Sequence, residues 1–135
     1  MKKAAFIALF ALALSMLAAC GSSNTGGNGG GGGNNPNTIT MGATTFSSDS
    51  ISITKGSTIT FVDSQSNGAE HILVIGKQGM PDTTETGAPD FGGTTGHTFQ
   101  PGQSWTTPAW NTAGTYHVTC TIHPTTMNLT VTVTG

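Results

Sequence analysis

The stretch from Met127 to Thr134 most constrains what this chain can fold into. Met127, Leu129, Val131 and Val133 alternate there with Asn128, Thr130, Thr132 and Thr134. Alternation with period two places one set on each face, so the spacing predicts a strand with one apolar and one polar side. The same signal recurs upstream. Ile51 and Ile53 alternate with Ser52 and Thr54 before a Lys55-Gly56-Ser57 turn, and Thr58 to Val62 is β-branched and aromatic. His71, Leu73 and Ile75 share one face of a strand whose other face carries Ile72 and Val74. Ser104 to Trp110 reads as an edge strand interrupted by Pro108, and Ala113-Gly114 turns into a strand from Thr115 to Cys120. Gly76 to Gly96 has no periodicity and reads as a surface excursion with at most a short helical turn. Short strands with frequent turns predict an all-β domain, a Greek-key β-sandwich or barrel.

The N-terminal third has a different character. Lys2 and Lys3 precede an apolar run from Ala4 to Leu17, and Leu17-Ala18-Ala19 then leads into Cys20. The run is shorter than the roughly 20 residues that span a bilayer, so residues 1–19 read as a signal peptide for export. Leu-Ala-Ala-Cys resembles the lipobox of bacterial lipoproteins. That resemblance implies that Cys20 becomes the acylated N-terminus, anchored on the outer face of the cytoplasmic membrane or in the periplasm. Residues 20–37 are almost entirely Gly, Asn and Ser. They predict a flexible tether, disordered and reaching about 20 Å. The folded domain is then expected over 38–135, long enough for a modest core without disulfides.

Charge excludes one class of partner. Behind the leader the only cations are Lys55 and Lys77, set against six Asp and Glu residues, and the chain has no arginine. A nucleic-acid surface needs clustered basic residues, and none are available.

The candidate site lies in Cys-Thr-Ile-His-Pro-Thr-Thr-Met, residues 120–127. A thiolate, an imidazole and a thioether can converge there on one soft metal ion. Cys120 shares a strand face with Tyr116 and Val118, and Met127 shares one with Leu129 and Val131. Pro124 holds His123 to extended geometry. Cys20 lies beside a glycine tract, a poor place for a staple, so Cys120 reads as an unpaired thiol that metal ligation would protect. The fourth group must come from elsewhere. Of His71, His97 and His117, only His71 shares an inward face of a buried-looking strand; the other two read as solvated surface residues. His71, Cys120 and His123 with a weak axial Met127 form the ligand set that suits copper cycling between Cu(I) and Cu(II).

At this point the sequence resembles the small blue copper proteins, the cupredoxins of plastocyanin and azurin type. Lys55-Gly56-Ser57-Thr58-Ile59-Thr60-Phe61 is similar to that family's opening strands, and Ala113-Gly114-Thr115-Tyr116 to its approach to the cysteine. The resemblance implies one type 1 copper ion, with His71, Cys120 and His123 equatorial and Met127 axial. It also implies that His123 is the electron port, within an apolar docking patch. Two positions depart from the pattern. Met127 follows His123 by four residues, where three is common, and Asp63 stands where Asn is common. Met80, in the excursion, is the other thioether to weigh as an axial group.

The expected function is therefore a monomeric electron carrier without enzymatic activity. It would meet donor and acceptor redox proteins transiently, while its lipid anchor keeps it at the membrane. Two other readings share parts of the sequence argument. One is a copper chaperone or scavenger at the cell surface; the other is a metal-free adhesive β-sandwich.

Overall fold

The structure is a computed structural model in which residues 36–66 and 69–135 are described. Nine strands follow one another: β1 (Thr38–Met41), β2 (Ser50–Thr54), β3 (Thr60–Asp63), β4 (His71–Lys77), β5 (Met80–Pro81), β6 (His97–Phe99), β7 (Ser104–Thr106), β8 (Gly114–Cys120) and β9 (Asn128–Thr134). There is no helix among the described residues. The all-β sandwich predicted by the alternation is thus the architecture observed.

One sheet has the order β1-β3-β7 and the other β2-β9-β8-β4-β5, with β6 also paired to β4. Two pairings are parallel, β1 with β3 and β2 with β9; the rest are antiparallel. Parallel partners need long crossovers, which the chain supplies by passing from one sheet to the other. Ile39, Met41 and Phe61 of the smaller sheet share one core with Leu73, Val118, Leu129, Val131 and Val133 of the larger. In β9 the burial alternates as the sequence predicts, with Leu129, Val131 and Val133 buried, Asn128, Thr130 and Thr132 half-buried and Thr134 exposed.

Several boundaries differ from the sequence expectation. The strand expected from Thr58 begins at Thr60, because the Ile59 amide donates to the Thr107 hydroxyl (3.1 Å) instead of to a ladder carbonyl. The strand expected over Ser104–Trp110 stops at Thr106. Pro108 has no N–H to give, and the chain crosses to the Gly56-Ser57 turn. There Gly56 N–H donates to Trp110 O (2.9 Å) and Trp110 N–H to Ser57 O (2.8 Å).

The largest correction concerns residues 76–96. They are not a plain surface excursion. Gln78 and Gly79 both have positive φ, 51° and 77°, and close a two-residue hairpin between β4 and β5. Further on, Phe91 is 2% exposed and packs edge-on against Phe61 (6.0 Å) and Trp105 (5.0 Å). The segment therefore delivers an aromatic anchor to the core.

Candidate metal centre

Two strand ends and one loop build the site. His71 opens β4 and Cys120 ends β8, and both are fully buried. In the antiparallel pairing of these strands Cys120 lies opposite Leu73. His71, two residues before Leu73, is on the same face, so its ring meets the sulfur. His123 comes back from the turn after β8. Cys120 Sγ is 3.8 Å from His71 Nδ1 and 3.8 Å from His123 Nδ1, and the two imidazole centroids are 5.2 Å apart. The three ligand atoms lie within 4.8 Å of one another.

These spacings fit a metal ion. Nitrogen at about 2.0 Å and sulfur at about 2.3 Å from one ion, in a trigonal plane, stand about 3.8 Å apart. One soft sulfur and two imidazoles are also the donor chemistry copper takes.

The loop is held by its own hydrogen bonds. Met127 N–H donates to His123 O (3.0 Å), Cys120 N–H to Met127 O (3.1 Å) and Asn128 Nδ2 to Pro124 O (2.9 Å). Thr126 Oγ1 donates to Thr44 O (2.5 Å), tying the loop to the turn after β1. The buried Thr119 hydroxyl lies 3.1 Å from Met127 O and accepts the Gly79 amide at 2.9 Å. The β4–β5 hairpin is thereby fixed to the loop. Met127 is fully buried at the loop's end, its side chain in the core cluster. Met80 is 71% exposed on the hairpin, which places it on the surface and not in the site.

Asp63 is the feature for which sequence reasoning supplied no role. It ends β3 and is 1% exposed, with Oδ1 at 3.7 Å from His71 Nε2. Neither carboxylate oxygen, nor His71 Nε2, has a hydrogen-bond partner. Burial pushes the Asp63 carboxyl above the usual carboxylate range, with His71 pulling the other way. Burial also holds His71 below the usual imidazole range; Asp63 opposes this and the neighbouring His123 adds to it. The signal that could have found Asp63 is alternation, since it lies two residues after the buried Phe61 and so faces inward with it.

The other two histidines are not simply solvated. His97 is half-buried and stacks on Trp105 at 4.1 Å, nearly parallel. His117 is half-buried and bound through Nδ1 to Glu85 Oε1 at 2.6 Å, while its backbone N–H donates to Glu85 Oε2 at 2.7 Å. Neither belongs to the His71–Cys120–His123 cluster. Cys20 lies outside the described residues.

Residues 34–134 match the family of copper binding proteins, plastocyanin/azurin family. The chain belongs to that family. It is a type 1 cupredoxin, and its cofactor is copper. Its fold is that of solved amicyanins. Amicyanin from Paracoccus versutus is 20% identical, with 72% of this cupredoxin and 79% of that chain covered and a TM-score of 0.51. A reduced amicyanin variant is 18% identical over 72% and 80% of the two chains (TM-score 0.51). An oxidised variant is 17% identical over the same shares (TM-score 0.53). Among curated proteins none matches the sequence.

Proposed function

We propose that this cupredoxin carries single electrons between extracytoplasmic redox proteins, with His71, Cys120, His123 and Met127 as the residues that would hold the copper. The observation that carries this reading is the symmetric placement of Cys120 Sγ, 3.8 Å from each imidazole Nδ1. Copper bound there supplies the one-electron Cu(II)/Cu(I) couple. The protein's part is to hold the ligands still. His71 and Cys120 are clamped on paired strands, and His123 is fixed by the bonds of Met127 and Pro124. A frame held this rigidly would let electrons pass with little reorganisation.

His123 is the half-buried member of the set and so the exit to solvent. Ile122 beside it is 43% exposed, and Met80 is exposed on the hairpin whose Gly79 abuts Pro124. Such apolar surface suits brief docking with a small interface. Acylation at Cys20, with the Gly- and Asn-rich residues that follow it as a tether up to Asn37, which bonds to Thr58 and Thr60 of the domain, would keep the carrier at the membrane while it meets donor and acceptor.

The test is optical and electrochemical. Copper-loaded protein is expected to show an intense visible thiolate-to-Cu(II) band and reversible one-electron voltammetry. A protein that binds only Cu(I), stays colourless and passes the ion to an acceptor would replace this reading with copper delivery. For the anchor, Cys20→Ser is expected to abolish fatty-acid labelling and release the protein from membranes.

A further inference from the structure

The Asp63–His71 pair is unusual because each group lacks what the other offers. Asp63 is a carboxylate sealed from water with no donor on either oxygen, and His71 Nε2 is a buried ring nitrogen with no partner. Their separation is 3.7 Å, roughly 0.7 Å beyond an ordinary hydrogen bond. A buried carboxylate left alone is strongly unfavourable, so its neighbours must supply positive charge or a proton. Lys55 and Lys77 are the only cationic side chains among the described residues, and no ion pair joins either to Asp63. Besides the Ser64 backbone, which also favours the ionised carboxyl, the charged partner on hand is the imidazole.

The tautomer follows from the same geometry. His71 Nδ1 faces the sulfur, so a metal bonded there leaves the ring's single proton on Nε2, facing Asp63. A ligand histidine generally donates its other N–H to an outer group, which fixes the ring and raises its basicity. Backbone is the usual alternative, and the Gly42 backbone also lies beside this ring and favours its charged form.

We propose that Asp63 is a positioning residue for the copper: its carboxylate accepts the Nε2–H of His71, locks that ring toward Cys120 and favours Cu(II) over Cu(I). The proposal rests on His71 being a ligand, as argued above. The favoured oxidation state follows from charge. A fixed anion behind a ligand ring stabilises the dication more than the monocation. Reduction adds one electron from the donor protein, and the His71 proton stays in place throughout.

The experiment compares wild-type holoprotein with Asp63→Asn, which keeps the volume and removes the charge. The Cu(II) affinity of the variant is expected to fall about 10- to 100-fold, with Cu(I) affinity changed less. The reduction potential rises accordingly, by about 59 mV per tenfold change in the affinity ratio. An unchanged ratio and potential, with the visible band intact, would overturn the proposal and leave the Gly42 backbone as the acceptor. If the wild-type protein lacks the thiolate band, the ligand assignment itself has failed. Should Asp63→Asn not fold, the reduced wild-type protein decides. Its His71 Nε2 proton, followed by ¹H–¹⁵N NMR, is expected to be slowly exchanging and shifted downfield; a resonance at the ordinary imidazole position sinks the idea.

Discussion

Cys120 has no disulfide partner among the described residues and no exposure, yet it faces two imidazoles rather than an apolar wall. That contrast makes its sulfur the residue to change first. Cys120→Ser is expected to abolish the visible band and weaken copper binding by at least tenfold while the domain still folds, checked by absorption and by circular dichroism. His97 carries a second prediction at this scale. Its burial against Trp105 lowers its proton affinity below the usual imidazole value of 6.5. The unfolded chain therefore binds more protons in the window just below pH 6.5. The neutral ring's contribution to stability is present above that pH and is lost as pH falls through the lower folded value. Urea midpoints of the apoprotein should fall less between pH 7 and pH 5 in His97→Gln than in wild type. Equal slopes would remove His97 from the pH response.

Among the elements, the β4–β5 hairpin matters more than its two-residue strand suggests. Its Gln78 N–H donates to Asn128 Oδ1 (2.8 Å) and its Gly79 N–H to the Thr119 hydroxyl, so it buttresses the ends of β8 and β9 around the loop. Gly79 has φ +77°, and a Cβ there would sit 2.5 Å from Pro124 Cβ, next to His123. Gly79→Ala is expected to destabilise the domain by about 1–3 kcal/mol. It should also shift the visible band by displacing the loop. Chemical denaturation and the holo spectrum check this together, and an unaltered spectrum would mean that the hairpin does not support the site. The hairpin was illegible in the sequence because Gln-Gly is a weak turn signal beside Asn-Gly or Asp-Gly. β6 was missed for a related reason: three residues are too few to display a period. The ligand loop was legible because Cys120, His123 and Met127 are close in sequence and flanked by two strongly alternating strands.

Over the whole molecule, one core serves both sheets, and residues 76–96 contribute to it through Phe91. Removing that ring should leave a cavity beneath Trp105 and Trp110, whose centroids are 5.0 and 6.3 Å away. Phe91→Ala is expected to lower stability by about 3–5 kcal/mol, read as a shift of the denaturation midpoint. Phe91 packs on Phe61, Trp105 and Trp110, none of them a ligand, so the spectrum of the surviving folded holoprotein should not change. A loss below about 1 kcal/mol would show that the segment is dispensable to the core.

Read alone, the sequence determined what its neighbours in the chain can encode: which residues alternate, where turns fall, and that a thiolate, an imidazole and a thioether occupy one short loop. Strand faces follow from period two, a local property of the backbone. Tertiary structure decided which distant groups meet. His71 reaches Cys120 across 49 positions, Asp63 comes to lie behind that ring, and Phe91 turns inward from a stretch without pattern. Those placements depend on strand pairing and register, which are chosen by burial summed over the whole domain and by no single segment.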